Sequence, residues 1–197
     1  MKTKSYIQGY CHIRDYKISL SGKTIFEQDA KDFPAFIKAA YANFDIDYGK
    51  FFKMDNLSKL AFIASDVLLK DEEEKNTALV FSNRAGSLDT DRKHHATMDT
   101  YPSPAVFVYT LPNICLGEIS IKHQLHSENA FFVSDNFNAD TLFEYANALL
   151  NTQKAEIVIC GWVDVDKGKY DAFLYVVAKS GIFTHSKEEI NRLYQAP

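Results

Sequence analysis

Hydrophobic residues recur at helical spacing in several stretches of this chain. The clearest helix is predicted over residues 56–69, capped by Asp55 or Asn56, because apolar side chains recur there at i, i+3, i+4 and i+7. Four further helices are predicted over residues 33–44, after Pro112, from Asp140, and after a capping box at Ser186–Glu189.

Short apolar segments between these helices are typical of strands. Residues 77–82 form a continuous apolar run of the kind buried on both faces of a sheet. Residues 156–165 and 171–179 predict a hairpin, because the turn Asp166-Lys167-Gly168 joins them. Further strands are predicted over residues 6–13, 16–20 and 130–133. Strands that alternate with helices and end in a hairpin predict an α/β fold with a mixed sheet.

Two polar stretches show neither the helical nor the strand pattern of apolar residues. Residues 83–104 predict a long loop, which contains the basic tract Arg92-Lys93-His94-His95. The acidic run Asp71–Lys75 predicts a solvated loop.

Composition narrows the class of protein. We expect residues 1–197 to form a single domain, because the length suits one. The formal net charge of −4 argues against a nucleic acid partner. No apolar run is long enough to cross a membrane, and the basic N-terminus is not followed by an apolar segment, so a cytoplasmic location is expected.

No cofactor or metal is expected. The three cysteines, Cys11, Cys115 and Cys160, are too far apart in the sequence for a cysteine metal motif. His123 and His126 have the i, i+3 spacing of two ligands on one helix, but no third ligand follows at a fixed spacing.

Four segments in a fixed order resemble the N-terminal half of a β-ketoacyl synthase, a member of the thiolase-like superfamily. They are Lys53–Ala61, Leu79–Leu88, Ser103–Ile119 and Ala146–Trp162. The resemblance covers roughly residues 50 to 180. It implies a thiolase-like half-domain, with a mixed five-stranded sheet and helices on both faces.

The resemblance also implies where a catalytic cysteine would lie. In that family the cysteine follows a short buried strand and begins the next helix, where the helix N-terminus favours the thiolate. The corresponding position in this chain is Asn136, and an amide is not acylated in this way. Ser134 and Cys160 are the alternative nucleophiles, although structural roles are favoured for both.

The family's second half, which supplies two catalytic histidines, has no counterpart in this sequence. One half alone is expected to leave an apolar helix face uncovered, which predicts an oligomer. The resemblance implies that Phe107, Leu111 and Asn136 line an acyl tunnel or subunit interface. Ordinary core packing is the alternative for Phe107.

The favoured function is therefore a non-catalytic subunit of bacterial fatty acid or polyketide-type biosynthesis, which shapes or scaffolds a ketosynthase complex. The expected partner is a second copy or a full-length ketosynthase, with an acyl carrier protein as a further partner. The alternatives are an acyl-transfer or thioester-hydrolysing half-subunit completed across an interface, and a module that binds an acyl group or its carrier.

Overall fold

Strands and helices alternate along the chain in the computed structural model, which describes residues 4–69 and 76–196. The strands are β1 (Tyr6–Arg14), β2 (Lys17–Leu20), β3 (Lys23–Glu27), β4 (Thr77–Asn83), β5 (Asn129–Val133), β6 (Ile157–Asp166), β7 (Lys169–Ala178) and β8 (Phe183–Thr184). The helices are α1 (Phe33–Asn43), α2 (Asn56–Leu69), α3 (Leu88–Thr97), α4 (Pro104–Phe107), α5 (Ile114–His123), α6 (Ala139–Asn151) and α7 (Lys187–Tyr194). Short 3₁₀ helices span Gly49–Lys53 and Val108–Thr110.

The strands form one mixed sheet in the order β3-β2-β1-β7-β6-β4-β5, and β8 pairs with the start of β1. The predicted hairpin is confirmed, since β6 and β7 are antiparallel neighbours. Strand β4 is parallel to both β5 and β6. The mixed sheet is confirmed, but five strands is too few: β2, β3 and β8 widen a central set of five. The turn at Ser21 and Gly22 allows this extension, because both residues have positive φ and return the chain as β3.

Helices cover both faces of the sheet, as expected. Helices α1, α2 and α5 pack against one face, in a core that also includes the Phe51 side chain. Helices α6 and α7 pack against the other face. Asp32 caps α1, and Ser186 accepts a hydrogen bond from the Glu189 amide as the predicted capping box requires.

The predicted loop over residues 83–104 contains helix α3, so the loop prediction is wrong for Leu88–Thr97. Helix α3 is polar on nearly all sides, and among its residues only Thr90 is buried. It therefore lacks the apolar stripe on which a sequence pattern depends. Tertiary contacts hold it instead: the Thr90 hydroxyl donates to Asp55, and Arg92 pairs with Asp166.

The outer face of α6 differs from the expectation of an uncovered apolar surface. Its most exposed residues are Asp140, Glu144, Ala148 and Asn151. Lys187 of α7 pairs with both acidic side chains, at 2.5 and 3.1 Å. The large exposed apolar side chains of the described residues lie elsewhere.

The acidic run Asp71–Lys75 lies outside the described residues. In the described chain, no single helix is long and apolar enough to cross a membrane. Two consecutive helical segments, Pro104–Thr110 and Ile114–His123, are long and apolar enough only when taken together, and the angle between them is 97°.

Candidate functional site

The candidate nucleophile positions lie in the loop that joins β5 to α6. Ser134 follows β5 directly, and its amide donates to the Asn83 carbonyl at 2.9 Å. The Ser134 hydroxyl donates to the Asn136 carbonyl, also at 2.9 Å. Asn138 caps α6 by accepting a hydrogen bond from the Thr141 amide. Asn136 is exposed and precedes the first helical residue by three positions, so it lies in the loop rather than within the helix.

An aromatic cluster fills the space next to Asn136. It consists of Phe137, Trp162, Phe173 and Tyr194. Phe137 stacks face to face on Tyr194 with ring centroids 4.0 Å apart, and it meets Trp162 and Phe173 edge-on at 6.3 and 5.8 Å. The sequence contains no local signal for this cluster, because its members come from four separate elements.

Charged groups hold Tyr194 in the cluster. Its hydroxyl donates to Asp171 at 2.8 Å, and Arg14 pairs with the same carboxylate at 2.5 Å. Arg14 also donates to the Tyr194 carbonyl, and its guanidinium lies 4.7 Å from the Tyr194 ring centroid. Burial and Asp171 both raise the pKa of the Tyr194 hydroxyl, which is therefore a neutral donor at physiological pH.

The three cysteines are buried, and none is placed as an accessible thiolate. Cys160 is completely buried in β6, on the side of the sheet that α6 covers. Burial raises the pKa of Cys160 and Cys115 well above the usual value, and it raises that of Cys11 to about 12. The structure brings Ser134 and Asn136 together in one loop, whereas Cys160 lies in the core.

Phe107 and Leu111 are exposed, so core packing does not account for Phe107. Their exposed fractions are 61% and 58%. They belong to a segment rich in exposed apolar side chains, and we call its five members the apolar patch: Met98, Tyr101, Phe107, Val108 and Leu111. Val133 is the last residue of β5. Its Cγ2 is the nearest atom, at 4.0 Å, to a β-carbon added at Gly86. The hydroxyl of Ser87, next to Gly86, donates to the Thr110 carbonyl. These contacts connect the end of β5 to the α4 region.

The basic tract of α3 is largely neutralised within the chain. Arg92 pairs with Asp166 at 2.5 Å, and Lys93 pairs with Asp89 at 2.6 Å. The His94 ring lies 5.3 Å from the Phe107 ring. This tract therefore presents less free positive charge than its sequence indicates.

His123 and His126 do not share a helix face. Helix α5 ends at His123, because Gln124 adopts a left-handed conformation with φ of 56°. The His123 ring lies 3.3 Å from Asp66. Within residues 4–69 and 76–196, no three His, Cys, Asp or Glu side chains are grouped as a metal site.

A cleft of about 450 Å³ lies between α6 and the strands β1 and β8. On its floor the Ser5 hydroxyl lies 3.0 Å from His185 Nδ1 and donates to Asn147 at 2.9 Å. Burial lowers the pKa of His185 to about 4, so the ring is neutral at physiological pH. Sequence reasoning missed this group, because Ser5 is more than one hundred residues from both Asn147 and His185 and only the fold joins them.

Comparison with solved structures identifies the fold. The chain is similar to a chain of the ketosynthase ApeO in complex with its chain length factor ApeC from Xenorhabdus doucetiae (TM-score 0.60, 14% identity, 97% of this chain and 90% of that chain). It is also similar to AntDE:AntF, a type II polyketide synthase acyl carrier protein in complex with its ketosynthase bound to the hexaketide (TM-score 0.62, 13% identity, 90% and 63%). A third match is a β-ketoacyl synthase from Burkholderia phymatum (TM-score 0.61, 12% identity, 91% and 60%).

The chain therefore has the thiolase-like fold of ketosynthases and chain length factors. It spans about three fifths of the length of the second and third of these chains. No protein-family model matches the sequence, and no curated protein matches it.

Proposed function

We propose that this chain is a non-catalytic, ketosynthase-like subunit that pairs with a full-length ketosynthase in fatty acid or polyketide-type biosynthesis. The observation that carries the proposal is the exposure of the apolar patch, in a chain whose sheet also ends in the edge strand β5. Large exposed apolar patches on a folded chain mark interaction surfaces. Ketosynthase complexes are the context in which two of the matched structures were solved.

The edge strand β5 supports pairing with another subunit. It lies at the end of the sheet, next to β4 alone, and its five residues, Asn129–Val133, carry no charge. Exposed edge strands of soluble proteins are usually protected by charged residues, proline or a bulge. Val133 at the end of this edge is 61% exposed, so an apolar side chain is available to a partner that pairs with the edge.

The loop after β5 supports a non-catalytic role. The resemblance to ketosynthases would put the acylated cysteine at Asn136, whose amide is not a nucleophile of that kind. Phe137, the next residue, is stacked on Tyr194, which restricts the space for an acyl group there. We assign the subunit a structural role in the complex: it covers or shapes the partner's acyl site.

We also propose that residues 1–197 act as one domain equivalent to half of a ketosynthase. The polar outer face of α6 and its ion pairs to Lys187 support this proposal, because such a face gains little from packing against a second half. The domain would therefore use the apolar patch, and not α6, to bind its partner.

Carrier-protein binding is proposed for the complex rather than for the α3 tract of this chain. A carrier protein is acidic, and binding it needs free positive charge. Arg92 and Lys93 already form ion pairs with Asp166 and Asp89. The ketosynthase partner is accordingly the better source of the carrier-binding surface.

The first prediction tests the partner. Tagged chain isolated from its host is expected to bring down a full-length ketosynthase at one-to-one stoichiometry, measured by native mass spectrometry and identified from its peptides. The double variant Phe107→Asp, Leu111→Asp should lose that partner, because two carboxylates would be desolvated in the interface. The control is Ile182→Asp, which changes an apolar residue that is 73% exposed but outside the patch. A chain found only with itself, or a double variant that still binds the ketosynthase, would contradict the proposal.

The second prediction tests the absence of covalent catalysis. The intact mass of the protein should not change after incubation with an acylated carrier protein, and iodoacetamide should label its native thiols slowly, since all three are buried. Asn136→Cys is the matched control, because it adds one thiol in the exposed loop and should be labelled rapidly. An acyl adduct on Ser134 or Cys160 of the natural chain would instead support the enzyme alternative.

A further inference from the structure

The cleft between α6 and the strands β1 and β8 has the size of a small-molecule site. Its volume is about 450 Å³, and such sites measure about 300–1,000 Å³. One wall is a side of α6, where Phe143 and Asn147 lie one helical turn apart, and the opposite wall contains Ser5 and His185. None of the described residues that line it belongs to β5 or to the apolar patch, so the cleft is separate from the surface proposed for the ketosynthase partner.

The floor of the cleft contains a buried polar group that the fold uses only in part. Ser5 and His185 are 8% and 5% exposed. The Ser5 hydroxyl donates its one proton to Asn147 Oδ1 at 2.9 Å, and its oxygen lies 3.0 Å from His185 Nδ1. The neutral imidazole must therefore carry its proton on Nδ1, because two lone pairs would otherwise face each other across that distance. Within the described residues, His185 Nε2 is buried and has no hydrogen-bond partner, so the packing leaves a buried acceptor unpaired, which is uncommon in a folded protein.

The floor offers both kinds of hydrogen bond that a hydroxyl group makes. Asn147 uses its oxygen for Ser5, and its two amide N–H groups make no hydrogen bond with a described residue. The Ser5 oxygen, which accepts from His185 Nδ1, retains one lone pair. A hydroxyl group between these two side chains would accept from Asn147 and donate to Ser5. A charged group would meet no opposite charge here, because all three side chains of the floor are neutral at physiological pH.

The walls and the rim of the cleft define the remainder of a ligand. The half-buried rings of Tyr6 and Phe143 line it, and flat apolar surfaces of this kind favour an aromatic body. Two charged side chains, Lys4 and Glu144, lie at the exposed rim. Glu144 is paired with Lys187 at 3.1 Å, whereas Lys4 forms no ion pair with a described residue. The charge that the rim leaves available is therefore positive, and it suits a carboxylate.

We propose that this cleft binds a small hydroxylated aromatic carboxylate. The hydroxyl group of the ligand lies on the floor between Ser5 and Asn147, its ring packs beside Phe143, and its carboxylate lies at Lys4. The inference goes beyond the proposed function and does not depend on it, because no residue of the proposed ketosynthase interface takes part in the site.

The experiment measures the affinity of the natural chain for three probes by isothermal titration calorimetry. The first probe, 3-(4-hydroxyphenyl)propionate, is expected to bind with one-to-one stoichiometry. The second, 3-phenylpropionate, lacks the hydroxyl group and should bind about fivefold more weakly, because the floor loses a neutral hydrogen-bond partner. The third, tyramine, carries an ammonium group instead of the carboxylate. It should bind at least about fivefold more weakly than the first, because its charge is the same as that of Lys4.

A variant of the floor tests whether the first probe is bound there. Asn147→Leu removes the amide but leaves the Ser5 hydroxyl able to donate to His185, so the variant should fold. It should bind 3-(4-hydroxyphenyl)propionate at least about tenfold more weakly than the natural chain does. Asn191→Leu is the matched control, because it makes the same change on α7, outside the cleft, and should leave the affinity unchanged.

A variant of the rim tests the role of charge. Lys4→Gln should remove the preference for 3-(4-hydroxyphenyl)propionate over tyramine, whereas Lys23→Gln, on β3, should retain it. Two results would overturn the inference: no binding of 3-(4-hydroxyphenyl)propionate by the natural chain, or equal binding of it by a folded Asn147→Leu. If Asn147→Leu does not fold, the probe series on the natural chain decides the matter, since equal affinities for 3-(4-hydroxyphenyl)propionate and 3-phenylpropionate would also reject the site.

Discussion

Replacing Gly161 with alanine is expected to prevent folding or to lower the free energy of unfolding by at least about 4 kcal/mol. Gly161 lies in the middle of β6 with φ of 155°, a value that residues with a side chain rarely adopt. A β-carbon there would lie 1.9 Å from the carbonyl oxygen of Phe173 and 2.9 Å from the Leu174 α-carbon. Both obstacles belong to the backbone of the paired strand β7, so no side chain can move aside to make room.

Gly117→Ala is the matched control for this prediction. Gly117 lies within α5, and no atom would come within 4 Å of an added β-carbon. The substitution should stabilise the protein by up to about 1 kcal/mol, because alanine favours the helix and restricts the unfolded chain. Urea unfolding followed by circular dichroism measures both variants. Equal stabilities for Gly161→Ala and the natural chain would show that β6 and β7 are not packed as described.

The stability of the protein should fall steeply as the pH decreases from about 6.5 to 4. Burial lowers the pKa of both His12 and His185 to about 4, with Arg14 lowering that of His12 further and Asp171 opposing. In the unfolded chain these rings take up protons near pH 6.5, whereas in the folded chain they stay neutral until the pH falls to about 4. The unfolded state therefore binds more protons over this interval, and the stability present above it is lost as the pH falls. Each histidine contributes on the order of 3 kcal/mol to the change.

Two variants separate these contributions. His12→Phe keeps the stacking on Phe173, whose ring centroid lies 4.8 Å away, but removes the titrating group. His185→Asn retains a polar atom near the position of Nδ1, which lies 3.0 Å from the Ser5 hydroxyl. Each should roughly halve the decrease in unfolding free energy between pH 6.5 and 4, measured by urea titration at each pH. Equal stability of the natural chain at pH 6.5 and at pH 4 would show that His12 and His185 are not buried in their neutral form.

Periodic segments were predictable because their apolar residues alone specify the element. Helix α2 has the bounds that its apolar repeat predicts, although burial extends beyond the predicted stripe to ten of its fourteen residues. The β6–β7 hairpin was predictable because its turn residues and apolar runs are local. Helix α3 was not, because it is polar on nearly all sides and depends on partners such as Asp55 and Asp166 that are distant in sequence.

The candidate site was predictable only in part. Counting along the sequence from the resemblance selected Asn136 as a candidate position, and the structure places this residue in the loop after β5. The sequence did not indicate that Tyr194 would stack on Phe137, because these residues are far apart in the chain and are joined only when α7 packs beside α6. Phe107 shows the opposite problem: its apolar character is compatible with a core or an interface, and only its exposure distinguishes them.

By itself, the sequence determined the order of most strands and helices, the absence of a cysteine at position 136 and the buried character of the central strands, since these depend on residue identity and short-range spacing. The tertiary structure alone decided the width of the sheet, the polar outer face of α6, the exposure of the apolar patch and the stacking of Tyr194 on Phe137. Each of these depends on which surfaces meet after folding, and burial is a property of the packed chain rather than of any single segment.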